Sequence, residues 1–294
     1  MTPTERTTWL AARRNVVGSS DSPAVCRMSP YAGPLDVYLN KLGLLPEREN
    51  EAMRWGTRLE GVVAEAFSEE TGIEVQDGPG LVTHPELRWL GATPDRLTLH
   101  GIPLELKTSR ISEQWGAVGT DEVPEAYNVQ VQHQMAVLGA EACYVAVLIA
   151  GSDFRWYRVP RSQGAIDALV AILGAFWQRV ERREPPDLDW TDPRTPELVQ
   201  YLRQPVAGSS VSLDDAALAL VREYQELGGL TGEHEKRRQM LKGRLVDLMG
   251  AAELALLPDG RRIKRKQTTR KSYTVPECSY TDFRISGKTN GENP

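Results

Sequence analysis

The sequence predicts an α/β fold of the α+β kind, followed by a helical and β-hairpin appendage. Three patterns point there. A helix-period run from Met53 to Gly72 leads into short apolar runs separated by turn residues, the pattern of strands. A second helical segment, from about residue 124 to 139, precedes two β-type runs, Cys143 to Ile149 and Phe154 to Val159, set around Gly151-Ser152. Pro185-Pro186-Asp187 then breaks the chain before a differently patterned C-terminal part.

Taken in order, residues 5 to 14 and 21 to 28 read as short helices, and Pro34 to Lys41 carries Leu35, Val37, Tyr38 and Leu39. After Met53, the positions Leu59, Val62, Val63, Ala66 and Phe67 recur at helical spacing, and Gly72 ends the run in the usual capping position. Strands are expected near 73 to 76, 81 to 83, 88 to 92, 95 to 99 and 102 to 108, with a turn at His100-Gly101 folding the last two together. In the helix that follows, Tyr127, Val131, Met135 and Leu138 form an apolar stripe; Gln130 and Gln134 lie off it and Gln132 at its margin. A helix from Ser162 to about Arg183 completes this part.

The chemistry concentrates in Thr93-Pro94-Asp95-Arg96-Leu97 and Leu104-Glu105-Leu106-Lys107-Thr108. Side chains alternate along a strand, so Glu105 and Lys107 share one face while Leu104 and Leu106 enter the core. The hairpin turn brings Asp95 near Glu105. Two carboxylates offer hard oxygen ligands to a cation such as Mg²⁺, and the ion would activate a water beside them. The same three residues on neighbouring strands could instead form a solvated ion-pair face.

Composition narrows the setting. The chain has 294 residues, enough for one large domain with an appendage or for two domains. Cys26, Cys143 and Cys278 have no close spacing, which argues against a disulfide framework and against cysteine-ligated zinc or iron–sulfur sites. No leader and no apolar run of membrane-spanning length is evident, so a cytoplasmic location is expected. The formal charge of −5 does not exclude a nucleic-acid partner, because binding needs only a local basic channel. Arg13, Arg14, Arg27, Arg54 and Arg58 cluster in the segments that could line one, although scattered surface arginines would look the same.

Further segments flank the carboxylates. Arg13, Arg14 and Val17-Gly18-Ser19-Ser20-Asp21 come first, then Trp55-Gly56-Thr57-Arg58-Leu59-Glu60, and, after the carboxylates, Tyr127-Asn128-Val129-Gln130-Val131-Gln132-His133-Gln134-Met135. In order and spacing these motifs resemble the YqaJ-like viral recombinase family, to which the lambda-type exonucleases belong, over about residues 9 to 200. The resemblance implies a PD-(D/E)XK restriction-endonuclease-like core, a mixed central sheet flanked by helices. It also implies an Mg²⁺-dependent reaction, with one or two ions and Mn²⁺ able to substitute, that digests one strand of duplex DNA 5′ to 3′. On this resemblance Asp95 and Glu105 match the metal-binding carboxylates, with the backbone carbonyl of Leu106 as a further ligand, and Lys107 matches the catalytic lysine. Glu60 matches an acidic helix residue that binds metal or orients its water; without Trp55-Gly56 it would read as a solvated helix glutamate. Gln130 and Gln132 match a Gln-Val-Gln motif bordering the site, and helical phase leaves open which of them faces the metals. Arg13, Ser20 and Thr93 match a pocket for a 5′-terminal phosphate; Arg14 leaves the arginine uncertain by one position.

Beyond residue 208 the resemblance to the lambda-type enzymes ends. Ser212 can cap a helix with Asp214 and Asp215 in its first turn. Leu213, Ala217, Leu220, Tyr224 and Leu227, resumed at Leu241, Leu245 and Leu248, suggest a long helix or helical hairpin reaching Met249. Gly228, Gly229 and Gly232 interrupt it, each costing about 1 kcal/mol relative to Ala inside a helix. Leu256-Leu257-Pro258-Asp259-Gly260 opens a hairpin that carries Arg261, Arg262, Lys264, Arg265, Lys266, Arg270 and Lys271. Arg261, Arg262, Lys264, Arg265 and Lys266 are possible DNA contacts, and the hairpin's cations are equally a device by which an edge hairpin resists aggregation. The expected organisation is an exonuclease domain over 1–200, a helical segment with a basic hairpin over 201–275, and a disordered tail over 276–294.

The function expected from these readings is a phage or prophage exonuclease that leaves single strands for a partner annealing protein. The resemblance favours a trimeric ring of identical chains. Two alternatives stand beside it: a structure-specific or nicking endonuclease on the same fold, and a catalytically silent DNA-binding recombination subunit.

Overall fold

Near the N-terminus of the computed structural model, helix α1 (Pro3–Arg14) leads to a two-residue strand β1 (Val17–Gly18) and a single turn at Ser19–Asp21. The short helix α2 (Ser22–Val25) and then α3 (Pro34–Lys41) follow. The structure describes residues 3–46, 50–227, 233–270 and 278–286. The helix expected over 21 to 28 is cut short because Arg27 adopts a left-handed conformation, φ 59°. Helix α4 (Glu51–Thr71) begins before the apolar repeat does, since Asn50 caps it and accepts the Met53 amide hydrogen at 2.8 Å. It ends at Gly72, whose φ of 70° suits a residue without Cβ.

Five short strands come next: β2 (Val75–Asp77), β3 (Val82–Thr83), β4 (Leu90–Ala92), β5 (Arg96–Thr98) and the longer β6 (Pro103–Ser109). Helix α5 (Glu125–Leu138), strands β7 (Ala142–Ile149) and β8 (Asp153–Pro160), and helix α6 (Gln163–Arg182) complete this part. The main sheet has the order β2-β5-β6-β7-β8, with β6 and β7 parallel and the other neighbours antiparallel. A small sheet of order β1-β4-β3 stands apart, with β1 parallel to β4. The β5–β6 turn forms at Gly101, φ 80°, and pairs Arg96 with Leu104. Helix, antiparallel strands, helix, strand (α4, β5 and β6, α5, β7) is the order expected from the sequence.

The alternation along β6 sorts its residues as expected. Leu104 and Leu106 pack with Val63, Ala64 and Phe67 of α4, and the Phe67 ring lies 5.3 Å from Tyr144 and 6.4 Å from Trp156. Burying each such side chain contributes about 1.5–3 kcal/mol. Glu105 and Lys107 take the other face, toward α5. Helix α5 is buried continuously from Gln130 to Val137, so its glutamines lie as deep as its apolar stripe.

The chain divides into two compact units, residues 1–186 and 187–294. The break therefore falls at the Pro185-Pro186-Asp187 segment, well before residue 200. In the second unit, helix α7 (Thr195–Leu202) and strand β9 (Val206–Ser212) precede α8 (Asp215–Glu226), α9 (Glu233–Met249), β10 (Ala252–Leu256), β11 (Arg262–Arg270) and β12 (Cys278–Ser286). The sheet order is β12-β11-β10-β9, and β9 runs parallel to β10. Ser212 ends a strand instead of capping a helix; the cap of α8 is Asp214, which accepts the Ala217 amide hydrogen at 3.1 Å. The expected 213–249 helix is two helices, and Gly228, Gly229 and Gly232 lie outside the described residues, as does Lys271.

The expectation of disorder from residue 276 does not hold over β12. That strand pairs with β11 along its whole length, and Phe283 and Ile285 pack against a core of Ala217, Val221, Leu245, Met249, Ala255 and Ile263. Residues 276, 277 and 287–294 lie outside the described residues. Among the described residues, no helix is long and apolar enough to cross a membrane.

Candidate active site

Asp95 precedes β5, and its position is fixed through the backbone on both sides. Its Oδ2 accepts the Leu106 amide hydrogen at 2.8 Å, tying it to the residue between Glu105 and Lys107. The Gly78 amide donates to the Asp95 carbonyl at 3.2 Å, and a Cβ on Gly78 would stand 2.0 Å from the Pro94 carbonyl oxygen. Glycine is required there by the close approach of the two chains.

Glu105, 3% exposed, is surrounded by polar groups despite its burial. Its Oε1 accepts from Lys107 Nζ at 2.5 Å and from Gln130 Nε2 at 2.6 Å, and Gln134 Nε2 donates to its Oε2. Lys107 Nζ also donates to Gln130 Oε1 at 3.1 Å and lies 5.0 Å from the centroid of the Tyr127 ring. Tyr127 stacks in turn on Trp115, with centroids 5.3 Å apart. These contacts hold a carboxylate and an ammonium in one orientation, with little rotamer freedom left to lose.

The electrostatics of the group are those of crowded carboxyls. Burial, and then the neighbouring Glu105 charge, push the Asp95 carboxyl up to about 8, against the opposing pull of Lys107 and the Leu106 amide. Burial alone would lower the Lys107 ammonium, but Glu105 and Asp95 override it and hold its pKa above the ordinary lysine value. Glu60, on α4, is raised by burial and feels Arg96, Glu105 and Lys107, which brings it within electrostatic reach of the same cluster. Among the described residues, no three His, Cys, Asp or Glu side chains converge tightly enough to form a ready-made metal cage. The oxygen chemistry nonetheless suits a hard cation. Mg²⁺ takes one or two carboxylates and completes its octahedron with water or phosphate oxygens, and a cation would relieve the repulsion that raises Asp95.

The two glutamines of the Gln-Val-Gln motif part company. Gln130 faces the cluster. Gln132 does not: its Nε2 donates to the Pro160 carbonyl at 2.9 Å and its Oε1 accepts the Ser162 amide hydrogen at 2.9 Å, so it ties α5 to the start of α6. Gln134, four residues after Gln130 and hence on the same helical face, is the second glutamine partner of Glu105. Its position off the apolar stripe beside Gln130 was the available signal.

The N-terminal group also comes together. Arg13 Nη2 donates to Ser20 Oγ at 2.7 Å, and the Arg13 guanidinium lies 4.6 Å from the centroid of the Trp9 ring. Lys41 takes Asp21 Oδ2 at 2.6 Å and leaves Arg13 only a 4.0 Å approach to Oδ1, so the arginine is not fully neutralised. Arg14 lies instead beside Gly43, so Arg13 is the arginine that meets Ser20. Because β1 runs parallel to β4, with Gly18 opposite Gly91, Ser20 and Thr93 leave the small sheet at the same end, two residues before Asp95.

Residues 8–141, which contain all of these groups, match the family model of the YqaJ-like viral recombinase domain. Over that stretch the chain is similar to the family. The uncharacterized protein YqaJ of Bacillus subtilis (strain 168) is 28% identical over 260 residues, spanning 86% of this chain and 81% of that one. That share is larger than the first unit, so the similarity to YqaJ extends beyond the family domain. Among solved structures, an alkaline exonuclease from Laribacter hongkongensis is similar at 24% identity and a TM-score of 0.49, covering 60% of this chain and 94% of that one. A phage-related exonuclease from Haemophilus somnus 129PT is similar at 12% identity and a TM-score of 0.44, covering 57% and 94%.

In the second unit, the cations of the hairpin separate into two sets. Arg261 is 5% exposed, with Nε donating to Asp259 Oδ2 at 2.7 Å and Nη1 to Gln225. Arg265 is 1% exposed and donates to the carbonyls of Ala252, Arg203 and Gly250. These two arginines are structural and are removed from the possible DNA contacts, because both are buried and bonded inside the fold. Arg262, Lys264 and Lys266 are exposed.

Proposed function

We propose that this YqaJ-like protein is a cation-dependent exonuclease of the phage type, which digests one strand of duplex DNA 5′ to 3′ and leaves the other for an annealing protein. The observation that carries this reading is the convergence of Asp95, Glu105 and Lys107 on one strand pair, with Gln130 and Gln134 holding Glu105. Asp95, Glu105 and the Leu106 carbonyl would hold Mg²⁺, or Mn²⁺ in its place, as one ion or two. The bound ion would supply Lewis acidity toward an attacking water and the scissile phosphate.

The chain's own residues account for the rest. Lys107 is kept protonated by its two carboxylate neighbours, so its ammonium can donate to a non-bridging phosphate oxygen and offset charge that builds in the transition state. Gln130 and Gln134 fix Glu105, leaving Asp95 as the more exposed acid. Glu60, its pKa raised by burial, holds a proton more readily than an ordinary glutamate and could pass one to or from the attacking water. Arg13 and Ser20, with Thr93 at the same end of the small sheet, would offer donors suited to a terminal phosphate. A ring of identical chains would keep such an enzyme on its DNA, and residence in the cytoplasm of a bacterial host follows from the same reading.

The test uses blunt duplexes labelled at one end, with or without a 5′-phosphate, incubated with Mg²⁺, Mn²⁺ or chelator. Stepwise release of nucleotides from 5′-phosphorylated ends, abolished by chelator, is expected. Cleavage that persists in chelator, or digestion that starts at 3′ ends, overturns the reading. Rapid cutting of covalently closed circles would identify an endonuclease instead.

A further inference from the structure

The outward face of the second unit's sheet is cationic at its centre. Helices α8 and α9 cover one face through Leu218, Val221, Leu245 and Met249, which pack with Ala255 and Ile263. On the opposite face Arg262, Lys264 and Lys266 of β11 follow one another at every second residue, about 7 Å apart along the strand. All three are exposed, and Lys264 lies directly across from Arg284 of β12.

Two features separate this from ordinary surface charge. First, at Arg262 and Lys264 β11 is an inner strand, hydrogen-bonded to β10 on one side and β12 on the other. Lysine and arginine that protect a sheet edge from aggregation belong on an unpaired strand side, so edge protection does not account for these two. Second, like charges at adjacent and directly opposite sheet positions destabilise the sheet. The acid opposite Lys266, Asp282, is engaged by Arg284 at 2.8 Å. A chain of net charge −5 thus gathers an excess of cations along a single open face. The strip carries a cost that a polyanion lying along it would remove.

We infer that this face is a cleavage-independent binding surface for the phosphate backbone of duplex DNA, with Arg262, Lys264 and Lys266 as its contacts. The choice of DNA as the polyanion rests on the proposed function; the charge argument itself does not. Contacts of this kind give affinity without sequence preference.

The experiment measures equilibrium binding of a 30-base-pair duplex to the full chain in chelator, across a salt series. The wild type is compared with an R262Q/K264Q/K266Q variant and with the single variant K264Q. Each phosphate left without its cation should flatten the plot of log affinity against log salt by about 0.9, so the triple variant is expected to be shallower by close to three and the single variant by close to one. Unchanged slopes in variants that keep the wild-type circular dichroism overturn the inference, even if the protein cleaves DNA. A flattened slope in a protein that never cleaves DNA would instead remove the nuclease reading and leave this surface standing. Tighter binding of poly-glutamate than of duplex, abolished in the triple variant while the duplex slope is unchanged, would assign the face to an acidic protein and overturn it as well.

Discussion

Replacing Asp95 with asparagine should make the metal-free protein more stable at alkaline pH. The amide keeps an oxygen for the Leu106 N–H but removes a charge that burial and Glu105 oppose. With a folded pKa of about 8 against an ordinary value of 3.8, the folded protein holds a proton that the unfolded chain has already released. Wild-type stability therefore falls as pH rises through that interval, and the full penalty stands above it. At about 1.36 kcal/mol for each pH unit of that interval the ceiling is between about 5 and 6 kcal/mol, which relaxation and an effective dielectric nearer 20 reduce to about 2–3 kcal/mol. Urea unfolding in chelator should show Asp95→Asn ahead of the wild type by that amount at pH 9, with the advantage shrinking toward pH 4.5. Mg²⁺ at about a hundred times its dissociation constant should return about 2.7 kcal/mol to the wild type and less to the variant. A variant no more stable than the wild type at pH 9, or an advantage indifferent to pH, would refute the claim that the two acids repel.

Other perturbations separate chemistry from architecture. Lys107→Met should lower single-turnover cleavage at least about a hundredfold while duplex affinity in chelator stays within a few-fold, because charge developing in the transition state loses its partner while Gln130 and Gln134 still hold Glu105. Gln134→Ala should slow cleavage and cost about 1.5–3 kcal/mol by stripping a donor from a buried carboxylate, whereas Gln132→Ala should lower the unfolding midpoint with a smaller effect on the chemical step. Gly78→Ala forces a Cβ against the Pro94 carbonyl and should cost about 1–3 kcal/mol together with activity, read from parallel denaturation and cleavage assays. Arg265→Met leaves three buried carbonyls without their donor and should lower the thermal midpoint by the equivalent of about 3 kcal/mol; Arg262→Gln, at an exposed position, should change it by less than about 0.5 kcal/mol.

Much of the first unit was legible because its signals are local. Alternation in Leu104-Glu105-Leu106-Lys107 and the glycine at 101 define the hairpin, and the hairpin alone brings Asp95 to the Leu106 amide. Gln134 was harder to assign, since α5 is buried on nearly every side and its polar positions resemble core positions until a partner is seen. Glu60, likewise, reads as a surface residue of α4 until Arg96, Glu105 and Lys107 stand beside it. Arg261 and Arg265 show the limit of charge patterning. A run of cations reads as one basic surface, but strand alternation turns Arg265 inward to meet carbonyls from residues 203, 250 and 252, and pairings that distant leave no trace in local composition. Strand β12 escaped for the same reason: its segment folds against β11, and Phe283 and Ile285 find their apolar neighbours only in helices far back along the chain.

Within α5, His133 lies between Gln132 and Gln134, and its Nδ1 shares a hydrogen bond of 2.5 Å with Ser22 Oγ. Burial drives this imidazole down to about 3, so it stays neutral around neutral pH and the bond joins α2 to α5. One helix thereby grips the segment that follows Ser20 while the adjacent turn aims Gln130 and Gln134 at Glu105. The Arg13–Ser20 pair and the glutamines that hold Glu105 are thus mounted on a common beam, so a shift in α5 would move both.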